Sequence, residues 1–371
     1  MHPLHLKPNL AGFWLATLVY TCTSQSTTQV ATHHVVHQST DDLIWRFWET
    51  EESPAGKMSL TPEEKFVMDH FKGNHSRDGS GRFVVPLPRK ADPPTLGESR
   101  SQAVRRFITL QRSLQHKGGV QAFNEAITEY FKSGHAEEVP AQDLSKSSSE
   151  VFYLPMHIVY KESSSTTKVR VIFDASAKSS TGVSLNDLLL VGLTVHSTLV
   201  DVLLQFRLYR IALIADVSRM YRALRLFEPD KDLHRFVWRE DAGKPLRDFR
   251  MTRMTFGVSA SPFAANMAVQ QNASDLAVQY PLAAEAVVKS FYVDDCLSGA
   301  DTVSGGIEMQ TQLQEMFEKG GFQLRKWNSS EKVVLEHVSP ELVDDQSVRL
   351  LSEPQQYTKT YSGVPVKTAF D

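Results

Sequence analysis

The stretch that decides the reading of this chain is Phe291-Tyr292-Val293-Asp294-Asp295-Cys296-Leu297, followed by Ser298-Gly299. Apolar residues flank two adjacent acids, the pattern of a tight β-hairpin with both carboxylates at its tip. Two like charges held side by side are costly unless cations neutralise them. Oxygen-only ligands suit Mg²⁺ or Mn²⁺. A second stretch belongs with the first. Ile211-Ala-Leu-Ile-Ala-Asp216-Val217 is an apolar run ending in one acid, after which the chain turns polar at Ser218-Arg219. Read alone, Asp216 is an ordinary strand end or helix cap. Read with Asp294 and Asp295, it completes three carboxylates able to hold two metal ions about 3.5–4 Å apart for in-line phosphoryl transfer.

Around these stretches, short strands mix with helices. Strands are expected over 151–160, 168–173, 210–217, 234–239, 247–254, 288–293 and 322–327, and helices over 197–208, 262–279 and 306–319. Ser261 reads as the cap of the middle helix with Pro262 at its first position, and the last helix ends at Gly320-Gly321. The elements interleave without the steady βαβ rhythm of a doubly wound fold, so the class is α+β. Further upstream, Asp42 caps a short helix carrying Leu43, Ile44, Phe47 and Trp48. Thr61-Pro62-Glu63-Glu64 has the form of a helix start. A strand-like piece runs from Arg82 to Pro88, and helices are expected over 99–115 and 120–133. The second shows a stripe of Val120, Phe123, Ile127, Tyr130 and Phe131, with Gly134 past its end. Residues 143–150 read as a flexible connection.

The ends of the chain show no such order. The first 40 residues are rich in Thr, Ser, Gln and His without a clear period, and His33, His34 and His37 read as a polar loop. The last thirty, from about Ser339, are polar and aperiodic. Residues 10–20 form an apolar run too short to span a bilayer, with no Ala-x-Ala site behind it. The two cysteines, Cys22 and Cys296, make no disulfide framework and no zinc module. Together these point to a reducing, cytoplasmic setting without a membrane partner.

The net charge of −3 is not that of a typical nucleic-acid binder. Yet between Arg77 and Lys117 nine basic residues stand against three acidic ones. That run is either a solvated basic face or a template or primer contact. Motifs of other enzyme classes are missing: no Gly-x-Ser-x-Gly, Gly-x-x-x-x-Gly-Lys-Ser/Thr, His-Glu-x-x-His or Gly-x-Gly-x-x-Gly occurs.

The hairpin resembles the Tyr-x-Asp-Asp box of reverse transcriptases, and the order of pieces agrees: a basic strand, the first aspartate, a Gly/Ser/Pro helix start, then the double aspartate. Five stretches are similar to polyproteins of the BEL/Pao group of LTR retrotransposons. They are Gly97-Glu-Ser-Arg-Ser-Gln-Ala-Val-Arg-Arg106, Lys168-Val-Arg170-Val-Ile-Phe-Asp174-Ala-Ser-Ala-Lys178, Ser184-Leu-Asn-Asp187, Phe291-Tyr-Val-Asp-Asp295 and Gly320-Gly-Phe-Gln-Leu-Arg-Lys-Trp-Asn328. The resemblance covers roughly residues 40–335. It implies right-hand polymerase fingers and palm over 151–335, with an antiparallel palm sheet and helices, after a mostly helical extension over 41–150. Residues 1–40 fall outside the pattern, and 336–371 read as a truncated connection.

The implied activity is RNA-directed DNA synthesis: deoxynucleoside triphosphates are added to a primer 3′-hydroxyl on an RNA or DNA template, with two Mg²⁺ or Mn²⁺ ions. The resemblance makes Asp216, Asp294 and Asp295 the metal-binding catalytic acids. It puts Arg170, assisted by Lys168 or Lys161, on the incoming triphosphate, and Tyr221 against the sugar, where it excludes a 2′-hydroxyl. Phe256-Gly257 lies under the nucleotide; retroviral relatives have Gln-Gly there, so the Phe256 side chain offers no hydrogen bond. Ser261, Pro262, Tyr292, Lys326 and Trp327 fall to primer and template, Lys326 as a backbone contact and Trp327 as a stacking one. The protease triplet Asp-Thr/Ser-Gly that the resemblance implies upstream does not occur, and no ribonuclease H or integrase segment follows residue 340. The rival expectation is a retroelement fragment that binds nucleic acid without catalysis.

Overall fold

Thr61-Pro62-Glu63-Glu64 starts a helix for the reasons its side chains supply. The Thr61 hydroxyl accepts from the Glu64 N–H, and the Glu64 carboxylate accepts from the Thr61 N–H, so two orphan donors are satisfied reciprocally. The computed structural model describes residues 60–160 and 169–344, together with the backbone of 358–361 and 364–367. The expectations for residues 1–59 and for Lys161 and Lys168 lie outside these described residues. Leu60–Asp371 form one compact unit, and one apolar core runs from Val67 to Val338.

In chain order the helix α1 (Pro62–Asn74) leads into a hairpin of β1 (Ser76–Arg77) and β2 (Phe83–Val85). Two amphipathic helices follow, α2 (Arg100–Lys117) and α3 (Val120–Lys132), then β3 (Ala136–Glu138). A second hairpin pairs β4 (Met156–Tyr160) with β5 (Val169–Phe173). Two short helices, α4 (Leu185–Leu188) and α5 (Leu199–Phe206), precede the long strand β6 (Ile211–Val217). The single turn α6 (Met220–Ala223), β7 (Arg225–Leu226), β8 (Arg235–Trp238) and β9 (Arg247–Met251) come next. Then come α7 (Ser261–Leu276), α8 (Pro281–Lys289), β10 (Phe291–Tyr292), β11 (Asp295–Ala300), α9 (Val303–Lys319) and β12 (Leu324–Ser329). The strands β13 (Thr358–Tyr361) and β14 (Val364–Lys367) pair with each other.

The α+β class expected from the sequence is the one observed. The central sheet has the order β10-β11-β6-β12, antiparallel throughout. On β6, Leu213, Ala215 and Val217 are buried in the main core, and α9 packs across that side. The alternate residues Ile214 and Asp216 point to the other face, as period-two geometry requires. There α5 covers one end through Val202 against Leu297. Two smaller sheets, β1-β2-β7 and β3-β9-β8, are also present.

A buried ion network fixes β3 and β9 to the loop before β8. Arg250 meets Glu137, Glu228, Asp143 and Asp232; Arg235 meets Asp232; Lys146 reaches Asp143 and Asp232. Matched signs make such burial tolerable.

The differences from expectation are local. The strand expected over 288–293 starts later and is shorter: Val288 and Lys289 close the helix α8, and the strand β10 is Phe291–Tyr292. Ser261 is the first helical residue rather than the cap: its hydroxyl donates to the Thr255 carbonyl at 2.8 Å, and Ala260 stands in the cap position. Among the described residues no helix is long and apolar enough to cross a membrane.

Candidate functional site

Asp216 and Asp295 are direct cross-strand partners between β6 and β11. On the other side of β6, Arg325 of β12 is the partner of Asp216. Residues directly opposed in an antiparallel pair share a face, so Asp295, Asp216 and Arg325 form one row across the sheet end.

The hairpin that supplies Asp294 and Asp295 closes as the sequence pattern implies. Tyr292 pairs with Asp295, leaving Val293 and Asp294 as a two-residue loop. Val293 has φ of 56°, a left-handed conformation that such a loop usually gives to glycine. A β-branched residue there is an outlier. The conformation is held by the Asp294 carbonyl, which accepts from the Val217 N–H at 2.8 Å and fastens the tip to the end of β6. Strain of this kind collects at functional sites, where the surroundings over-determine it.

A bulge in β12 completes the row. Arg325 pairs with Asp216 and Asn328 with Ile214, so Lys326 and Trp327 together stand opposite one residue of β6. Lys326 takes φ of 54°, and its ammonium donates to the Asp216 carboxylate. Trp327 turns the other way and is fully buried. The stacking contact expected of Trp327 is therefore not available, since its ring is core.

The electrostatics follow from this crowding. Asp294 is accessible at the tip of its turn yet enclosed on its other sides. That enclosure, and then the neighbouring Asp216 carboxylate, raises its pKa above the ordinary aspartate value, with Lys326 and Arg170 acting against the rise. Tyr221 is likewise raised, first by burial and then by the negative charge of Asp294. Its ring lies 4.7 Å from that of Phe256, which is solvent-exposed. Arg170 extends from the exposed face of β5, and its charge is felt at Asp294 and at Arg222.

The Phe256-Gly257 loop lies hard against the end of β5. Gly257 has φ of 99°, and a Cβ there would stand 2.0 Å from the Phe173 carbonyl oxygen. Asn186 locks the loop by donating to the Gly257 carbonyl at 3.0 Å and accepting from the Ser259 N–H at 2.9 Å. Asn186 belongs to the Ser184–Asp187 motif, whose capping box sets its position; its part in the site was not foreseen from sequence.

The structure thus brings Asp216, Asp294, Asp295, Lys326, Arg170, Tyr221, Phe256 and Gly257 into one region. Tyr292, half-buried, packs edge-on to His196 at 4.9 Å. Pro262 is exposed, whereas Ser261 is buried and committed to Thr255. Of the nine basic residues from Arg77 to Lys117, five are engaged within the fold. Arg77, Arg89, Arg100 and Arg106 pair with Asp275, Asp230, Asp248 and Asp174, and Arg82 donates to the Gly321 carbonyl.

Among the described residues no three His, Cys, Asp or Glu side chains are arranged as a formed metal site. The donor chemistry nonetheless fits a hard divalent cation. Two carboxylates repel each other here, a third is in register with the first, and a lysine partly offsets their charge.

No family model matches this chain, and no curated protein matches it.

Proposed function

We propose that this chain is an RNA-directed DNA polymerase of a BEL/Pao-type retroelement, which extends a primer 3′-hydroxyl with deoxynucleoside triphosphates on a template. The observation that carries the reading is the meeting of Asp216 with the Asp294-Asp295 tip, across the whole intervening stretch 218–290. An antiparallel sheet end bearing three carboxylates, with helices on its reverse side, is the arrangement expected of a polymerase palm.

In this reading Asp216, Asp294 and Asp295 would hold two Mg²⁺ or Mn²⁺ ions. When bound, the ions lower the pKa of the primer hydroxyl and neutralise charge on the triphosphate. The residues of the chain do the rest. Arg170 offers its planar fork to phosphate oxygens. Tyr221 and Phe256 form the apolar wall against the deoxyribose. Gly257 lets the backbone of its loop come close to the fingers strand β5, and Pro262 is exposed beside the loop to meet template or primer. Lys326 holds Asp216 in the sheet row.

One observation favours the alternative, a chain that binds nucleic acid without catalysis: the Lys326–Asp216 contact occupies one of the acids. Extension of a DNA primer on an RNA template with Mg²⁺ or Mn²⁺ decides between them, run beside the Asp294→Asn, Asp295→Asn double variant. Incorporation by the chain and its loss in the variant support the polymerase. A folded chain that binds primer–template and never extends it overturns the polymerase in favour of binding alone.

A further inference from the structure

The sheet β1-β2-β7 carries an electrostatic anomaly that the candidate active site does not use. Val84, Arg225 and Arg253 are consecutive partners: Val84 pairs with Arg225 across β2 and β7, and Arg225 forms an antiparallel bridge with Arg253. All three lie on the more open face, while Phe83, Val85, Leu224 and Leu226 are buried on the other. Arg82 is two residues from Val84 and so shares that face. Two arginines directly opposed across a strand pair repel each other. Little offsets them: Asp78 meets Arg225 at 3.0 Å and takes two backbone N–H groups of its own loop.

The neighbouring polar groups are also unsatisfied. Nε and Nη1 of Arg253 are buried without a hydrogen-bond acceptor among the described residues, as is Nδ1 of His135. His135 is adjacent through its carbonyl, which accepts from the Thr252 N–H at 2.9 Å. Burial, followed by the charges of Arg222, Arg253, Arg219 and Arg82, pushes the His135 imidazole down to about 4. Burial, then Arg82 and Arg225, pushes Arg253 down to about 10. The ordinary remedy for a buried, unpaired arginine is a carboxylate, and among the described residues none hydrogen-bonds these two atoms, Asp78 acting on Arg253 only through its charge. Unsatisfied buried donors call for an explanation.

We propose that the face formed by Arg82, Arg225 and Arg253, with His135 at its edge, is a phosphate seat for the backbone of a nucleic-acid strand passing the candidate active site. The extent of the cluster argues for a polyanion over a single small anion. Its cations come from three separate backbone segments and continue through Arg222 and Arg219 toward Arg170, which faces the acids. A phosphodiester backbone is a row of acceptors without base-dependent features, so this seat positions a strand and reads no sequence. Identifying that strand as the template rests on the polymerase reading; the phosphate seat itself does not.

The test uses the full chain without metal or nucleotide. Anisotropy of a fluorescein-labelled single-stranded oligodeoxynucleotide is followed against NaCl concentration for the wild type, Arg253→Gln, Arg82→Gln and a Lys289→Gln control. Each arginine variant should lower the slope of log K against log [salt] by about 0.7, the value for one phosphate contact on a single strand. The control should leave the slope unchanged. Arg253→Gln should also melt no lower than the wild type, because it relieves repulsion instead of breaking a pair. Unchanged slopes in both arginine variants overturn the proposal, as does saturable binding of inorganic triphosphate lost in Arg253→Gln with the oligonucleotide slope intact. Reduced slopes in a chain that extends no primer would keep the seat and remove the polymerase. Primer extension with unchanged slopes would do the reverse.

Discussion

The Lys326 ammonium donates to the Asp216 carboxylate, so the acid at the end of β6 carries an internal cation where the proposed function needs a divalent one. The two cannot be held at full strength together. Lys326→Met should therefore raise the apparent affinity for Mn²⁺ by a factor of about 2–5, the worth of a partly exposed ion pair. In the metal-free protein the same change should lower the melting temperature, since Asp216 and Asp294 then face each other with one cation fewer. Thermal melts with and without Mn²⁺ check both parts. A Mn²⁺-induced shift no larger than that of the wild type would show that the lysine and the ion do not compete.

Asp294 offers a sign test. Its pKa is raised in the folded protein by enclosure and by Asp216. Well below the ordinary aspartate value, folded and unfolded chains both hold the proton, and there is no cost. As pH rises through the window above that value, the unfolded chain releases its proton first and stability is withdrawn. Asp294→Asn removes this effect. At neutral pH without metal the variant should melt above the wild type, and the difference should vanish in acid.

His234 works in the opposite direction. Complete burial pushes its imidazole down to about 4, with the Asp230 carbonyl and charge opposing weakly. The fold keeps it neutral while the unfolded chain takes up a proton near pH 6.5. Stability present above that pH is lost as pH falls from about 6.5 to about 4, in total on the order of 3 kcal/mol. His135, pushed down to about 4 chiefly by burial, adds to the same window. Urea unfolding across this range should show the decline, and His234→Gln should flatten it.

Gly257→Ala tests how tightly the loop is seated. Alanine at φ of 99° is strained, and its Cβ would meet the Phe173 carbonyl at 2.0 Å. Loss of about 3 kcal/mol or more is expected, because a strained conformation is combined with a backbone clash. Gly243→Ala is a suitable comparison: the nearest atom to its Cβ is a side-chain oxygen of Asp241 at 3.1 Å, and its φ is not left-handed. Equal effects at both positions would remove the close approach of the loop to β5 as the cause.

Tyr221 and Phe256 test the proposed sugar wall. With their rings 4.7 Å apart, shortening Tyr221 to valine opens the space that a 2′-hydroxyl would need. The ratio of kcat/KM for ribonucleotides over deoxynucleotides should rise by roughly 10–100-fold, the range open to steric discrimination. An unchanged ratio would place Tyr221 outside the sugar pocket.

Much of this architecture was legible before any coordinates. The α1 start was written in Thr61, Pro62 and Glu64; the helix expected over 99–115 and the striped one over 120–133 match α2 and α3 nearly to their ends. β6 and the hairpin tip followed from apolar runs ending in acids. What failed was non-local. No pattern in Arg-Lys-Trp-Asn tells that Trp327 faces the core, because a bulge, not alternation, decides it. The run from Arg77 to Lys117 was ambiguous by composition, since its partners Asp174, Asp230, Asp248 and Asp275 are distant in sequence. The arginine cluster was invisible for the same reason: Arg82, Arg225 and Arg253 become neighbours only when β2, β7 and the chain after β9 come together.

The bulge in β12 has a consequence for how the gene could change. A strand is a parity counter: each inserted or deleted residue exchanges inside for outside along everything beyond it. β12 uses its one odd step at Lys326-Trp327, so lysine is delivered to Asp216 and tryptophan to the core from adjacent codons. Losing a single codon there would reset the count and set the demands of the acid row against those of the core, whereas a simple exchange of Lys326 for another residue leaves the count alone. The position should therefore drift by substitution and resist deletion.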